Sequence, residues 1–536
     1  MTSPFLALES VSHVLPDGRT LFSNLCEQFD ARPTGLVGRN GVGKTVLARI
    51  LAGQLQPSAG RCVASGRVHY LAQQVAAPEA TVADLVGMRE TLEALARIET
   101  GSCAAEDFEA VGERWDVRER LRHELERNGL GYLDAATPAT ALSGGEAMRV
   151  ALIGALLSEA DFLILDEPSN HLDRPNRQAL IGQLQRWSRG LLVVSHDREL
   201  LNAMQHIVEL SALGLRSYGG NYDFYAQAKA RERQSAIESL EQAKTQRRRE
   251  EQTLREQRER QERRQARGNR QCREANQAKI LLDRQKERSE ASAGKLRQQQ
   301  AAAREQLARR VREAARQVED ETVVVLHAVP VPQAAQRRVA ELETVTLPCV
   351  AAATRHISLT ITGLQRIGVL GPNGCGKSTL LKVLAGQLEP LAGSCKVAAQ
   401  RVYLDQRLAT LDPQRPVLDQ LRSANRVASE SALRMWLAQL GLDAQRVTMP
   451  SGTLSGGERL KAALACALYA EPAAQLLLLD EPSNHLDLPS TQALEAMLRG
   501  YAGALLVVSH DEVFLEGLAL THRLEATEQG WVLGFW

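Results

Sequence analysis

GRNGVGKT, residues 38–45, and GPNGCGKS, residues 371–378, decide the fold. Each follows a short apolar stretch, TGLVG (34–38) and RIGVLG (366–371), and precedes a helical run, VLARILAG (46–53) and TLLKVLAG (379–386). Strand, glycine loop, helix is the context in which backbone N–H groups converge on phosphate oxygens and the helix N-terminus adds a favourable dipole. Gly38, Asn40, Gly41 and Gly43, and Gly371, Asn373, Gly374 and Gly376, are the expected cradles. Lys44 and Lys377 are expected to reach the β- and γ-phosphates. Thr45 and Ser378 offer a hydroxyl to Mg²⁺.

Working outward, the chain repeats itself. EPSNHLD stands at 167–173 and 481–487, LSGGE at 142–146 and 454–458, and VVSHD at 193–197 and 507–511, in the same order. Asp166 to His196 and Asp480 to His510 both span 30 residues. This predicts a duplicated α/β domain of about 200 residues, too large for a short solenoid repeat. One interval differs: Gln73 to Ser143 is 70 residues and Gln406 to Ser455 is 49. The first copy therefore carries extra residues around 76–130, whose apolar periodicity reads as amphipathic helices in a larger helical subdomain.

DFLILDEP (161–168) and LLLLDEP (476–482) read as buried strands ending in two carboxylates. Asp166 and Asp480 are expected to hold Mg²⁺, and Glu167 and Glu481 to act as general bases or water-polarising groups. His196 and His510 end the strands LLVVS and are placed against the γ-phosphate. LSGGE supplies a second donor surface from small residues at a helix start: Ser143, Gly144, Gly145 and Ser455, Gly456, Gly457. Taken alone it is an unremarkable helix cap; its duplication before each Asp-Glu pair is what makes it specific.

Between the copies lies a charged segment. Residues 229–320 hold 26 Lys/Arg and 16 Asp/Glu, leaving 39 and 48 of the chain totals of 65 and 64 for the rest. A net charge of +1 thus hides one basic segment between two mildly acidic bodies, which points to a nucleic-acid partner. YGGNYDFY (218–225) is expected to close the first domain. From about 226 to 320 the Arg, Gln, Glu and Ala composition predicts a long helix, a reversal near 266–276 at Gly268-Asn269, and a second long helix. Leu240, Leu254, Leu296, Leu307, Val311 and Val318 are spaced for a thin seam between the arms. A solvated or disordered linker is the alternative. Three domains are therefore expected, at 1–225, 226–330 and 331–536.

The eight cysteines are scattered and form no CxxC pair, so neither a disulfide framework nor a zinc site is expected, and a cytoplasmic setting is the simpler reading. The N-terminus has no basic region followed by an apolar core, and no apolar run approaches the roughly 20 residues that span a bilayer. The short tail after His510 leaves no large C-terminal extension to be expected.

Phosphate loop, the glutamine after YLxQ (Gln73, Gln406), LSGGE, the DE strand, SNHLD and the histidine together resemble the nucleotide-binding domain of ABC ATPases, over roughly 1–225 and 335–536. The resemblance implies two P-loop ATPase domains, each with a helical subdomain, closing head to tail on two ATP molecules. Lys44 would then share a site with Ser455, Gly456 and Gly457, and Lys377 with Ser143, Gly144 and Gly145. It also implies that Gln73 and Gln406 join the Mg²⁺ and nucleotide sites. Tandem copies without membrane helices, joined by a long charged linker after YGGNY, resemble the ABC-F family. That implies a ribosome partner, with the linker entering the tRNA exit site toward P-site tRNA and rRNA. Arg263, Arg264, Arg267, Arg270, Arg273 and Lys279 are the expected RNA contacts. The resemblance further implies a linker that either supports translation or displaces antibiotics, and a monomer with intramolecular pairing. The family's adenine-stacking aromatic is missing: HVLPDG (13–18) and TLPCVAAA (346–353) stand in its place, which leaves ATP and GTP both open. Two other readings remain. An ATPase subunit of a membrane transporter predicts a short neutral linker. A DNA-repair or chromosome ATPase predicts a split ATPase or zinc-binding cysteines.

Overall fold

The structure is a computed structural model that describes residues 4–73, 79–170, 172–274, 301–302, 305–315, 338–398, 400–405, 411–442, 444–484 and 486–536. The first copy contains nine strands: β1 (Leu6–Val14), β2 (Thr20–Phe29), β3 (Thr34–Gly38), β4 (Ala59–Ala64), β5 (Val68–Leu71), β6 (Phe162–Asp166), β7 (Gly190–Val194), β8 (His206–Ser211) and β9 (Gly214–Tyr218). The second repeats them: β10 (Arg338–Thr346), β11 (His356–Thr362), β12 (Arg366–Leu370), β13 (Ala392–Val397), β14 (Arg401–Leu404), β15 (Leu476–Asp480), β16 (Ala504–Val508), β17 (His522–Thr527) and β18 (Gly530–Phe535).

Each copy has a six-stranded sheet, in the order β5-β6-β7-β3-β8-β9 and β14-β15-β16-β12-β17-β18, and a three-stranded antiparallel sheet, β2-β1-β4 and β11-β10-β13. The central strands of the large sheets are parallel and only the last pair is antiparallel. Helices cover both faces of a parallel sheet, so its strands are apolar throughout instead of alternating. FLILD and LLLLD are buried at every position. At about 1.5–3 kcal/mol for each buried Leu or Ile, these runs form the sheet centre. Strand order then positions the chemistry. The phosphate loops follow β3 and β12, the histidines follow β7 and β16, and the Asp-Glu pairs end β6 and β15. These strands are neighbours, so all three groups meet at one sheet edge, as ligand sites in open α/β sheets do.

Among the described residues between β5 and the LSGGE helix, the first copy carries four α-helices, Val82–Val86, Arg89–Glu99, Ala105–Val111 and Val117–Arg127, where the second has two, Val417–Ala424 and Glu430–Gln439. The extra helices bury Leu92, Leu95, Val111, Val117, Leu121 and Leu125 in a core of their own.

Both copies form one unit, Met1–Phe224 with Val323–Trp536, and Tyr225–Thr322 forms another. The long helix begins at Tyr222, inside YGGNYDFY, and runs 53 residues to Glu274. It passes through Gly268-Asn269, so the reversal expected near 266–276 does not begin there. One interior glycine costs a helix about 1 kcal/mol. The flanking Arg, Gln and Ala outweigh it, with pairs such as Arg247–Glu251 at 2.8 Å adding a few tenths each. Residues 305–315 are helical as well. Residues 275–300, with Lys279 and Leu296, lie outside the described residues, as do Val318 and Gln406.

Candidate active site

The helix Lys44–Leu51 starts on Gly43 at φ 105°, and Lys377–Ala385 starts on Gly376 at φ 100°. A Cβ at Gly376 would lie 2.8 Å from the Val350 side chain, so glycine is required for conformation and for space. The lysines are buried and fold back over their own loops. Lys44 Nζ donates to the Gly38 carbonyl at 2.8 Å, and Lys377 Nζ to those of Gly371 at 2.8 Å and Pro372 at 2.9 Å.

Behind each lysine stands a carboxylate fixed on two sides. Ser378 Oγ donates to Asp480 Oδ1 at 3.1 Å, and Tyr403 OH to Asp480 Oδ2 at 3.2 Å. In the first copy Tyr70 OH donates to Asp166 Oδ2 at 3.2 Å, and the Thr45 hydroxyl lies near the same carboxylate. Burial pushes Asp166 and Asp480 above the usual carboxylate range, and these hydroxyls pull them back. Asp166 Oδ1 is buried without a hydrogen-bond partner. A hydroxyl beside a buried carboxylate with an orphaned oxygen suits a hard divalent cation.

Glu167 and Glu481 adopt left-handed backbone, at φ 52° and φ 49°. Among the described residues, the Asp-Glu strand ends place a glutamate in this conformation at the same position in both copies. Burial pushes both carboxyls up, against the pull of Lys44 and Lys377. His196 Nε2 lies 3.6 Å from Glu167 Oε1, and His510 Nε2 lies 3.4 Å from Glu481 Oε1. Burial and the nearby lysines push both imidazoles down, His510 to about 4. They are therefore neutral at pH 7. His510 Nε2 also contacts Asn373 Oδ1 at 3.0 Å.

LSGGE begins helices Gly144–Leu157 and Gly456–Leu468, each with a capping box formed by Ser143 with Glu146 or Ser455 with Glu458. A cavity of 490 Å³ is lined by Ser143, Gly144 and Gly145 of the first copy and by Asn373, Gly374, Gly376, Lys377 and Ser378 of the second. Glu167, His196, Asp480, Glu481 and His510 line it too, so candidate catalytic groups of both copies border one space. Around the first phosphate loop the cross-copy partner is Asp487, whose Oδ2 accepts from Asn40 N at 2.8 Å. Asp173 Oδ2 accepts from Asn373 N at 3.3 Å in the reciprocal place. Gln73 is exposed, just beyond β5. Arg263 and Arg267 are exposed on the linker helix, which also carries Arg264, Arg270 and Arg273.

Sequence reasoning missed Asp173 and Asp487, although EPSNHLD had marked them. Each caps the following helix, accepting from Asn176 N or Ser490 N, and reaches across to the other copy. It also missed Tyr70 and Tyr403, the tyrosines of the YLxQ segments that end in Gln73 and Gln406. Cys349 lines the cavity where an aromatic had been expected nearby.

A model described as ABC transporter matches residues 30–170 and 354–484, which hold both phosphate loops, both LSGGE segments and both Asp-Glu pairs. The energy-dependent translational throttle protein EttA of Mycobacterium tuberculosis is 32% identical, over 94% of this chain and 88% of its own length. The tylosin resistance ATP-binding protein TlrC of Streptomyces fradiae is 33% identical, over 89% of each. ABC transporter F family member 5 of Arabidopsis thaliana is 28% identical, over 92% of this chain and 71% of its own length.

The chain belongs to the ABC-F family of ATPases.

An archaeal ribosome recycling factor, aABCE1, solved with the stalk protein aP1, matches this ABC-F chain in fold. Its TM-score is 0.59 at 20% identity, over 96% of this chain and 87% of its own. Among the described residues no helix is long and apolar enough to cross a membrane. The ABC-F chain binds and hydrolyses ATP.

Proposed function

We propose that this ABC-F protein is a cytoplasmic, ribosome-binding translation factor whose ATP cycle times docking and release. The observation that carries the ATP half is the cavity shared by LSGGE of the first copy and the phosphate loop of the second. ATP seated there bridges the copies, and its loss of the γ-phosphate removes the bridge. Thr45 with Asp166, and Ser378 with Asp480, would hold Mg²⁺, which when bound would supply positive charge to stabilise the phosphoryl group being transferred. Glu167 and Glu481 polarise the attacking water, and the neutral His196 and His510 orient it and the γ-phosphate.

The ribosome half is supported by relatives named for translational throttling and tylosin resistance, and by the basic linker. Arg263 and Arg267 are exposed on a 53-residue helix, and their charge suits the phosphates of rRNA and P-site tRNA. The copies pair within one chain, as a monomer. The test is a Glu167→Gln, Glu481→Gln variant. It is expected to bind ATP, lose hydrolysis by roughly 10²–10⁴-fold and co-sediment with ribosomes when ATP is present. Sedimentation free of ribosomes would refute the reading. Protection of the ribosome from an antibiotic is a second reading, favoured by the tylosin-resistance relative. A susceptibility panel on cells expressing the protein, with and without residues 263–279, separates the two.

A further inference from the structure

The surface joining the two copies is polar in a directional sense. Residues in the stretch from Asp166 to Arg198 correspond to residues 314 positions later, as Asp166 does to Asp480 and His196 to His510. Arg198, two residues after His196, donates from Nη1 to Glu495 Oε1 of the second copy at 2.8 Å, and both side chains are only 8% exposed. At the rim Arg174 meets Glu512 at 2.8 Å, with side chains 56% and 35% exposed. Arg177, buried, donates from Nη1 to the His510 carbonyl at 2.9 Å. In both of these ion pairs the arginine comes from the first copy and the glutamate from the second.

The equivalent positions do not repeat these charges. Glu495 corresponds to Ile181, Arg198 to Glu512, Arg174 to Leu488 and Arg177 to Thr491. If two first copies paired in the same geometry, Arg198 would face Ile181 and Arg174 would face Arg198. If two second copies paired, Glu495 would face Glu512. Either arrangement strands a buried charge or sets like charges together, and a buried charge that loses its partner is strongly destabilising.

We infer that Arg198 and Glu495 form an ionic latch that gives the interface its direction, so that the surface of the first copy fits the second copy of its own chain and rejects another first copy. This deepens the proposed closing cycle and rests on it. The latch acts by positioning. It ties the segment after His196 to the helix Leu488–Gly500, whose cap Asp487 holds Asn40 of the first phosphate loop.

The experiment uses the full-length chain with Mg-ATP and no ribosomes, so its outcome is independent of ribosome binding. Arg198→Glu and Glu495→Arg are each expected to lower kcat/KM for ATP by about 150-fold or more, the scale of a stranded buried charge. The double exchange Arg198→Glu, Glu495→Arg is expected to return to within about threefold of the parent, while remaining monomeric. Arg174→Glu at the exposed rim is expected to cost less than about threefold. Less than fivefold loss in the single variants would overturn the latch. So would a double exchange no better than the worse single variant, which also covers the case in which the single variants misfold. A rim reversal as damaging as Arg198→Glu would overturn the assignment to the buried pair.

Discussion

Replacing Asp487 by Ala removes two separable interactions. The carboxylate caps the helix Leu488–Gly500, accepting from Ser490 N at 2.9 Å, and accepts from Asn40 N of the first phosphate loop at 2.8 Å. Against the burial that would raise it, these donors hold Asp487 below the usual carboxylate range, so it is charged at pH 7. Losing the cap costs about 1 kcal/mol. Losing a hydrogen bond to a charged group costs about 1.5–3 kcal/mol. The first cost falls on the stability of the second copy and the second on the pairing of the copies, where it amounts to roughly 10–150-fold. Asp487→Asn divides them, because Asn caps about as well as Asp. It is expected to melt like the parent while losing part of the cross-copy term, about 1 kcal/mol or roughly fivefold in kcat/KM. The assay is ATP turnover over a range of ATP concentrations, set beside thermal melting without nucleotide. If Asp487→Ala lowered the melting temperature and left turnover unchanged, the cross-copy bond would have no part in the site, and the reasoning would fail.

Three further outcomes are expected. Tyr403→Phe removes one of the two hydroxyls on Asp480 and is expected to cost about 1 kcal/mol in ATP-dependent stabilisation, read as the rise in melting temperature that Mg-ATP produces, with the nucleotide-free protein little changed. Glu481→Gly relieves a left-handed residue that costs about 1–2 kcal/mol and removes a buried carboxyl; the variant is expected to melt higher than the parent while hydrolysis at the second site falls by roughly 10²–10⁴-fold. Arg263→Gln with Arg267→Gln is expected to weaken ribosome binding and to reduce the slope of log affinity against log salt by about 1.4–1.8, measured by sedimentation at several salt concentrations; an unchanged slope would take these two side chains out of the contact.

Much of the site was legible in the sequence because the chain carries its own comparison. GxxGxGK[ST], LSGGE and the DE strand are local devices. Glycines set the loop, SxxE sets the cap, and a run such as LLLLD has no stable place except a sheet buried on both faces. The spacing of 30 residues from each aspartate to each histidine, repeated in both copies, marks the histidines as part of the site. The reversal at Gly268-Asn269 was misread, because a single glycine is too weak a signal to end a helix whose neighbours all favour it.

Local pattern alone determined two phosphate-loop copies, their candidate site residues and a basic helical segment between them. Tertiary structure decided which groups meet. Asp487 reaches Asn40, 447 residues away in the chain, and Arg198 reaches Glu495 across 297. Nothing in the short-range sequence carries such a pairing, because it depends on how one copy is set against the other. The same holds for Tyr403, whose hydroxyl finds Asp480 only because β14 and β15 are adjacent in the sheet. A motif fixes the conformation of its own few residues through sterics and hydrogen bonds. The partner that a buried charge finds is fixed by packing, where leaving that charge alone in a medium of low dielectric costs more than almost any rearrangement that pairs it.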